Sequence, residues 1–452
     1  MTLSKTPFSA PVSRSVRRWA ERTAAVALLT LAACAPRAVE PTPVPAPAPA
    51  PAPDPGAPGA TPLPMAEPVV RVGLLVDTAR VELGSTTGFT LVDTAAGARV
   101  LARAQAGERL LVTSAADNTL QIATADGRAV SSARGPVLAR PDQGGTVLVG
   151  GSPYRGEALV RAARPGRVTE VNVVEMEAYL LGVVPHEIGR VGEDRLEAAN
   201  AHAIAARTYA VAHQGRRSAL GFDYYATVQD QVYRGSGGEH DVTDRAVRET
   251  HGEVLLHQGT PIEAYYHSTC AGRTAAIEEV WPAGPRPYLV SVVDVNPETG
   301  VAYDHFSNRF RWTQRWTAPQ LTEILSRTLA DSLAAGTPFG ELRDIRVLER
   351  TASGRVQALR IETSTTSFTV GRDRVRWILL TPAGAALNSS LFDVSLVRNG
   401  AGTVTDVAAD GGGWGHGIGM CQVGAMGRAR HGQNYRTILS TYYPNTELRR
   451  LY

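Results

Sequence analysis

The chain has 452 residues, 43% of them hydrophobic and 20% charged, with a formal net charge of +3. That is an ordinary globular composition, long enough for about three domains at roughly 150 residues each. The positive sign is local: residues 1–33 carry Lys5, Arg14, Arg17, Arg18 and Arg22 against Glu21, so without them the charge is −1 and nothing argues for a nucleic-acid partner.

The first element is a leader. Its arginines precede an apolar run from Ala24 to Ala33, too short to cross a bilayer as a mature helix, which ends Leu31-Ala32-Ala33-Cys34. Small residues before a cysteine resemble the bacterial lipoprotein signal. This predicts a signal peptide over residues 1–33, lipidation at Cys34, and an exported protein anchored to a bacterial membrane. Residues 34–68 form a Pro/Ala-rich tether, with 13 prolines between Pro36 and Pro68. Such a segment cannot bury a core and favours polyproline II, so its reach is on the order of 100 Å at about 3.1 Å per residue. Of the three cysteines, lipidating Cys34 leaves Cys270 and Cys421, an even pair in an oxidising compartment.

Residues 69–165 read as a small β-rich domain, from short runs such as VRVGLLVD, ERLLVTSA and EALVRA separated by glycine and polar turns. Neither cysteine nor histidine occurs between Val69 and Val168, and nothing there looks catalytic. From residue 166 to 452 the period changes repeatedly and the expectation is a mixed α+β domain. A short helix from Met176 closes at Gly182, and Pro185 and Gly189 put Glu187 on a turn. A second helix starts near Asp194, with Glu197 as a reciprocal cap, and runs through eight alanines to about Gln214. Small side chains at Ala199, Ala203, Ala206 and Ala210 allow close packing, so a carboxylate ahead of this helix is held between rigid elements.

Three later stretches give Glu187 its weight. Tyr224–Gly235, YYATVQDQVYRG, gathers rings that stack on sugar faces with hydrogen-bonding groups such as Gln231 and Tyr233, although an aromatic hairpin core looks similar. Glu249–Thr274 ends in a polar loop where His267, Ser268, Thr269 and Cys270 crowd together. Between Asp304 and Ser395 the chain reads as architectural, with a helix from Ala318 to Ala335 and a strand-like VLERTASGRVQALRIETS; Glu278-Glu279 reads as a solvated pair. Gly411–Gly432 packs six glycines into nine residues around Trp414 and His416, which allows backbone to approach a ligand closely, and Gln422 follows. It lacks the lysine-serine/threonine ending of a phosphate loop.

Taken in order, VVPHEI, AIAARTYA, QDQVYRG, GTPIEAYYHSTCAGRT, GWGHGIGMCQVGAMGRARHG and YRTILSTYYPNTEL resemble the stage II sporulation protein D family, which includes the amidase enhancers, from about Gly166 to the C-terminus. The resemblance implies a lytic transglycosylase of peptidoglycan glycan strands, acting after a cell-wall amidase has removed the stem peptides. Glu187 would be its single acid/base, with no cofactor required. Gln231, Tyr233, His267, Ser268, Thr269, His416 and Gln422 would contact substrate or orient the acid. A non-catalytic glycan-binding enhancer of an amidase is the alternative, and a structural wall-tethering lipoprotein a more distant one. Many relatives have serine where this chain has Cys270 and Cys421, so the two changes suggest contact: either a disulfide, the preferred reading, or a zinc site completed by His267 and His416.

Overall fold

A computed structural model describes residues 66–95, 97–334 and 336–452; the leader, Cys34 and most of the tether lie outside the described residues. The fold is α+β, as expected. Two sheets open it. One has seven strands in the order Tyr224–Tyr225, Val69–Thr78, Arg167–Glu175, Glu157–Arg164, Val137–Pro141, Phe89–Asp93, Arg99–Ala104. The other has six, Ser152–Tyr154, Val147–Val149, Arg80–Ser85, Leu110–Ser114, Leu120–Thr124, Ala129–Ala133. Alternating residues such as Val81, Leu83, Phe89, Leu91, Val112, Ile122 and Val160 form one apolar core between them, the period-two pattern of half-buried strands. The turn at Pro165-Gly166 joins two neighbours in the first sheet, Glu157–Arg164 and Arg167–Glu175.

Strand Arg167–Glu175 leads directly into helix α1, Met176–Glu187, and then α2, Leu196–His213. α2 is the centre of the main core: Ala198, Ala199, Ala201, Ala203, Ala205, Ala206 and Ala210 are all fully buried, as expected of a helix covered on every side. It packs on α1, on α3 (Asp241–Glu249) and on two C-terminal helices described below. Arg207 of α2 is buried and reaches Glu177 of α1 in a bidentate pair, with both N···O distances 2.7 Å. Tyr452 also donates to Glu177 at 2.6 Å, so α1 is fixed at its first turn by charge as well as by packing.

Three local expectations are corrected. α1 does not stop at Gly182 but runs through Pro185 to Glu187. Gly182 is there because a Cβ would stand 2.6 Å from the Tyr233 ring, and a proline in the last turn forfeits only the bond to the Leu181 carbonyl. α2 begins at Leu196 without a side-chain cap; Glu197 instead accepts from the Tyr435 N–H at 2.7 Å, at the start of another helix. Past the short α4, Ile277–Val280, helix α5 covers Ala318–Thr328 only. It ends where the Thr328 hydroxyl bonds the Ile324 and Ile378 carbonyls and Leu329 turns into the core.

The strand-like segment after α5 is a hairpin, Leu342–Arg350 against Val356–Thr363, reversing at Gly354. With Ser367–Gly371, α6 (Arg374–Ile378) and the sheet Trp312–Thr317, Val404–Gly411, Phe392–Arg398, it builds a separate core around Trp316, Leu321, Leu359 and Ile361. The chain then returns to α2 with α7, Gln422–Arg430, and α8, Tyr435–Tyr442.

Candidate active site

Glu187 is the last residue of α1. The helix ends as Ile188 donates to the Val184 carbonyl at 3.0 Å and Gly189 takes φ +80. One carboxylate oxygen accepts from the Val232 N–H at 2.6 Å. That N–H is aimed by its neighbour: Gln231 is fully buried, accepts from Tyr179 of α1 at 3.1 Å, and donates to the Ala206 carbonyl of α2 and to the Tyr266 hydroxyl. Tyr233, on the other side, is buried, donates to Asn172 at 2.8 Å and packs its ring at a tilt against Tyr179. Gln231 and Tyr233 therefore do not face a substrate, contrary to expectation. They are the mould that holds the donor against Glu187.

The carboxyl opens into a cleft of about 480 Å³ lined by Tyr209, Tyr265, Tyr266, His267, Ser268, Trp281, Gly415, His416 and Gln422, with Arg216, Val228, Gln229 and Asp230 at one wall. Burial disfavours the charged carboxylate and pushes Glu187 up to about 7, against the opposing bond from Val232. Its place at the negative end of the α1 dipole acts in the same upward sense.

The opposite wall is made by two segments some 150 residues apart. Tyr266–His267 pairs in parallel with Met420–Cys421, Thr269 bridges to Trp414, and Ala275 to Ile418. The glycines make this approach possible. A Cβ on Gly415 would lie 2.8 Å from that of His267, and one on Gly419 would lie 2.0 Å from the Tyr265 carbonyl; both have positive φ.

The histidines sit on this wall with ring centroids 5.6 Å apart. His267 Nδ1 faces the Ile418 carbonyl at 3.1 Å, an acceptor, so that nitrogen carries the proton; Nε2 is buried, has no partner among the described residues and is left as a bare lone pair. His416 has the opposite tautomer, because its Nδ1 accepts from the Ile418 N–H at 3.0 Å. Burial holds both neutral, His416 down to about 4. Gln422 Nε2 donates to Nε2 of His202 at 3.1 Å, and His202 is pushed down to about 3 by burial. Ser268 is partly exposed at the cleft. Thr269 is not: it is 1% exposed, bonded to Ser307 and braced against Trp414, and so shapes the loop without reaching a ligand.

Cys270 and Cys421 do meet, but as free buried thiols, so the expected disulfide is not formed. Cys421 Sγ accepts from the Cys270 and Gly424 N–H groups at 3.2 and 3.3 Å, capping α7, while Cys270 donates to Asp294 at 3.2 Å. The zinc set with two histidines is not assembled either. Among the described residues, the ligand atoms that come within 4.8 Å of one another here belong to Cys270, Asp304 and Cys421, without either histidine. These three, all buried, could hold a metal. Burial raises both thiols, Cys421 to about 11, which favours the neutral hydrogen-bonded form.

Sequence reasoning passed over Tyr209, Tyr265, Tyr266 and Trp281 as cleft residues and His202 as the partner of Gln422. The first four stand inside or beside quoted motifs, and His202 is a lone imidazole in an alanine-rich helix, which was an available signal.

A carboxyl at the end of a buried helix, facing a cleft walled by a glycine-histidine loop, defines the class, and comparison with known proteins gives the family. The stage II sporulation protein model matches residues 164–257, and a model described as a domain of unknown function (DUF8618) matches residues 300–419. The chain is 30% identical over 279 residues to an uncharacterized protein of Brachyspira hyodysenteriae, covering 62% of this chain and 67% of that one. It is 29% identical to stage II sporulation protein D of Bacillus subtilis, covering 71% and 87%, and 29% identical to the amidase enhancer of the same organism, covering 60% of this chain and 40% of that protein. The chain belongs to the stage II sporulation protein D family.

Proposed function

We propose that this protein works on the bacterial cell wall as a lytic transglycosylase, cleaving peptidoglycan glycan strands, after an amidase has stripped their stem peptides, to 1,6-anhydromuramyl ends. The observation that carries the reading is Glu187: a carboxyl at an open cleft, held by one backbone donor, with a pKa near 7. Near neutrality such a group populates both forms the reaction needs. Protonated, it gives its proton to the leaving glycosidic oxygen. As carboxylate, steadied at one oxygen by Val232, it takes the proton of the muramyl C6 hydroxyl as that oxygen closes on the anomeric carbon. No water and no second carboxylate enter the balance, and no metal is required. Trp281 and Tyr265, partly exposed in the cleft, offer aromatic surface to sugars, and Ser268 offers a hydroxyl.

In this reading the protein is exported, tethered through Cys34 and the Pro/Ala-rich segment, and meets the wall from its membrane. A second reading is supported by the name of one relative, an amidase enhancer: glycan binding without cleavage, stimulating a cell-wall amidase. Mass analysis of intact and amidase-stripped glycan after incubation decides. Anhydromuramyl ends from the native chain and none from Glu187→Gln support the transglycosylase, whereas reducing ends mean hydrolysis. No cleavage, with a faster partner amidase, selects the enhancer.

A further inference from the structure

The glycine loop carries a second group of side chains beyond the cleft. Trp414 is pinned through its backbone: its N–H donates to the Thr269 carbonyl at 2.8 Å, and its carbonyl accepts from the Thr269 N–H at 3.0 Å. Both neighbours are tied as well, Gly413 to the Arg309 carbonyl and Gly415 to the Asn388 carbonyl. On this fixed backbone the indole is 44% exposed, even with the Arg309 guanidinium 4.5 Å from its ring centre. A large ring held outward at that cost is a recognition feature more than a packing one.

The loop also connects two hollows. On one side of Trp414, Gly415 and His416 line the Glu187 cleft. On the other, Gly411 and Gly412 line a groove of about 630 Å³ with Arg311 and Trp312. Arg311 stacks on Phe310 at 4.1 Å, and among the described residues neither Arg309 nor Arg311 is ion-paired with a carboxylate. The acids of the groove are occupied, Asp410 by the Thr313 hydroxyl and Asp393 by Arg350. A strand leaving the cleft along this loop thus meets an exposed indole and two guanidinium groups that rest on aromatic rings and that no carboxylate of the described residues holds.

We propose that Trp414 and Arg309 form a subsite for the glycan strand outside the cleft. Trp414 stacks on a sugar ring, and Arg309 takes the lactyl carboxylate that a muramyl unit presents once its stem peptide is removed. Arg311 and Trp312 receive the next unit in the groove. This rests on the glycan reading above and gives the segment matched to the domain of unknown function a role in choosing the substrate.

The test measures binding of a peptide-free disaccharide and of long peptide-free strands to the full chain carrying Glu187→Gln, so that cleavage does not intervene. Long strands bind the parent more tightly than the disaccharide. Trp414→Ala and Arg309→Ala each weaken long strands about tenfold and leave the disaccharide unchanged. Converting the strand carboxylates to amides weakens the parent about tenfold and Arg309→Ala not at all, an effect that a folding defect cannot imitate. Trp414→Phe recovers part of the loss. Equal losses on both glycans, indifference of the parent to amidation, or no tighter binding of long strands overturns the subsite and leaves the cleft reading standing. Failure to bind any glycan overturns both.

Discussion

Replacing Glu187 by glutamine should abolish turnover and stabilise the fold at the same time, with a pH dependence fixed by the structure. The amide keeps the volume and still accepts from Val232, so packing is unchanged. What changes is the ionisable group, which stands at about 7 in the fold against an ordinary 4.5. Below pH 4.5 both the folded and unfolded chains carry a neutral acid and no penalty arises. Between 4.5 and 7 the unfolded chain ionises while the fold resists, so the native protein loses stability as pH rises, and above 7 the loss is complete. The displacement is worth about 3 kcal/mol. Urea unfolding of the native and Glu187→Gln chains at pH 4 and pH 8 should therefore show equal stability at the first and a variant more stable by roughly 2–3 kcal/mol at the second. Glycan cleavage by the variant should fall at least 10²–10⁴-fold. A variant that is less stable at pH 8, or whose advantage is the same at both pH values, would refute the account of Glu187 as an acid held neutral by its site.

Three further outcomes follow from other parts of the fold. Glu170 is fully buried, has no partner for either oxygen among the described residues and is raised to about 8, so Glu170→Gln should add up to about 5 kcal/mol at pH 9 and nothing at pH 4, read from the same denaturation curves. Arg207→Met leaves Glu177 as a half-buried carboxylate without its bidentate partner and should cost about 3–5 kcal/mol; a loss under about 1 kcal/mol would mean that α1 is not anchored there. Thiol titration without reductant should find Cys270 and Cys421 unreactive in the native chain at pH 8 and both reactive in denaturant, while two missing thiols would establish a disulfide after all.

The motif around Glu187 was legible, and so was the alanine-rich helix that supports it. The local conformation was not, because Gly182 answers to the Tyr233 ring, a contact across 51 positions that periodicity cannot register. Gln231 and Tyr233 stood out for the right reason and received the wrong role. Polar aromatic stretches look alike whether they face a sugar or a buried helix, and only the Tyr179, Ala206 and Asn172 partners distinguish the two. The glycine loop announced a close backbone approach but not what approached, which was the segment around strand Tyr266–His267. For the cysteines, type suggested contact, while the acids that keep them as thiols, Asp294 and Asp304, lie in a segment that carries no motif.

The pairing of Tyr266–His267 with Met420–Cys421 also sets an order of assembly. Glu187 and its helix become available early as the chain is made, yet the wall across from them is absent until the residues beyond Gly411 arrive. A nascent or clipped chain holds the acid before Gly415, His416 and Gln422 have closed that side of the cleft. Loop closures of this span are slow to find. The His416 side of the cleft therefore comes into register with the acid only once this late pairing has formed.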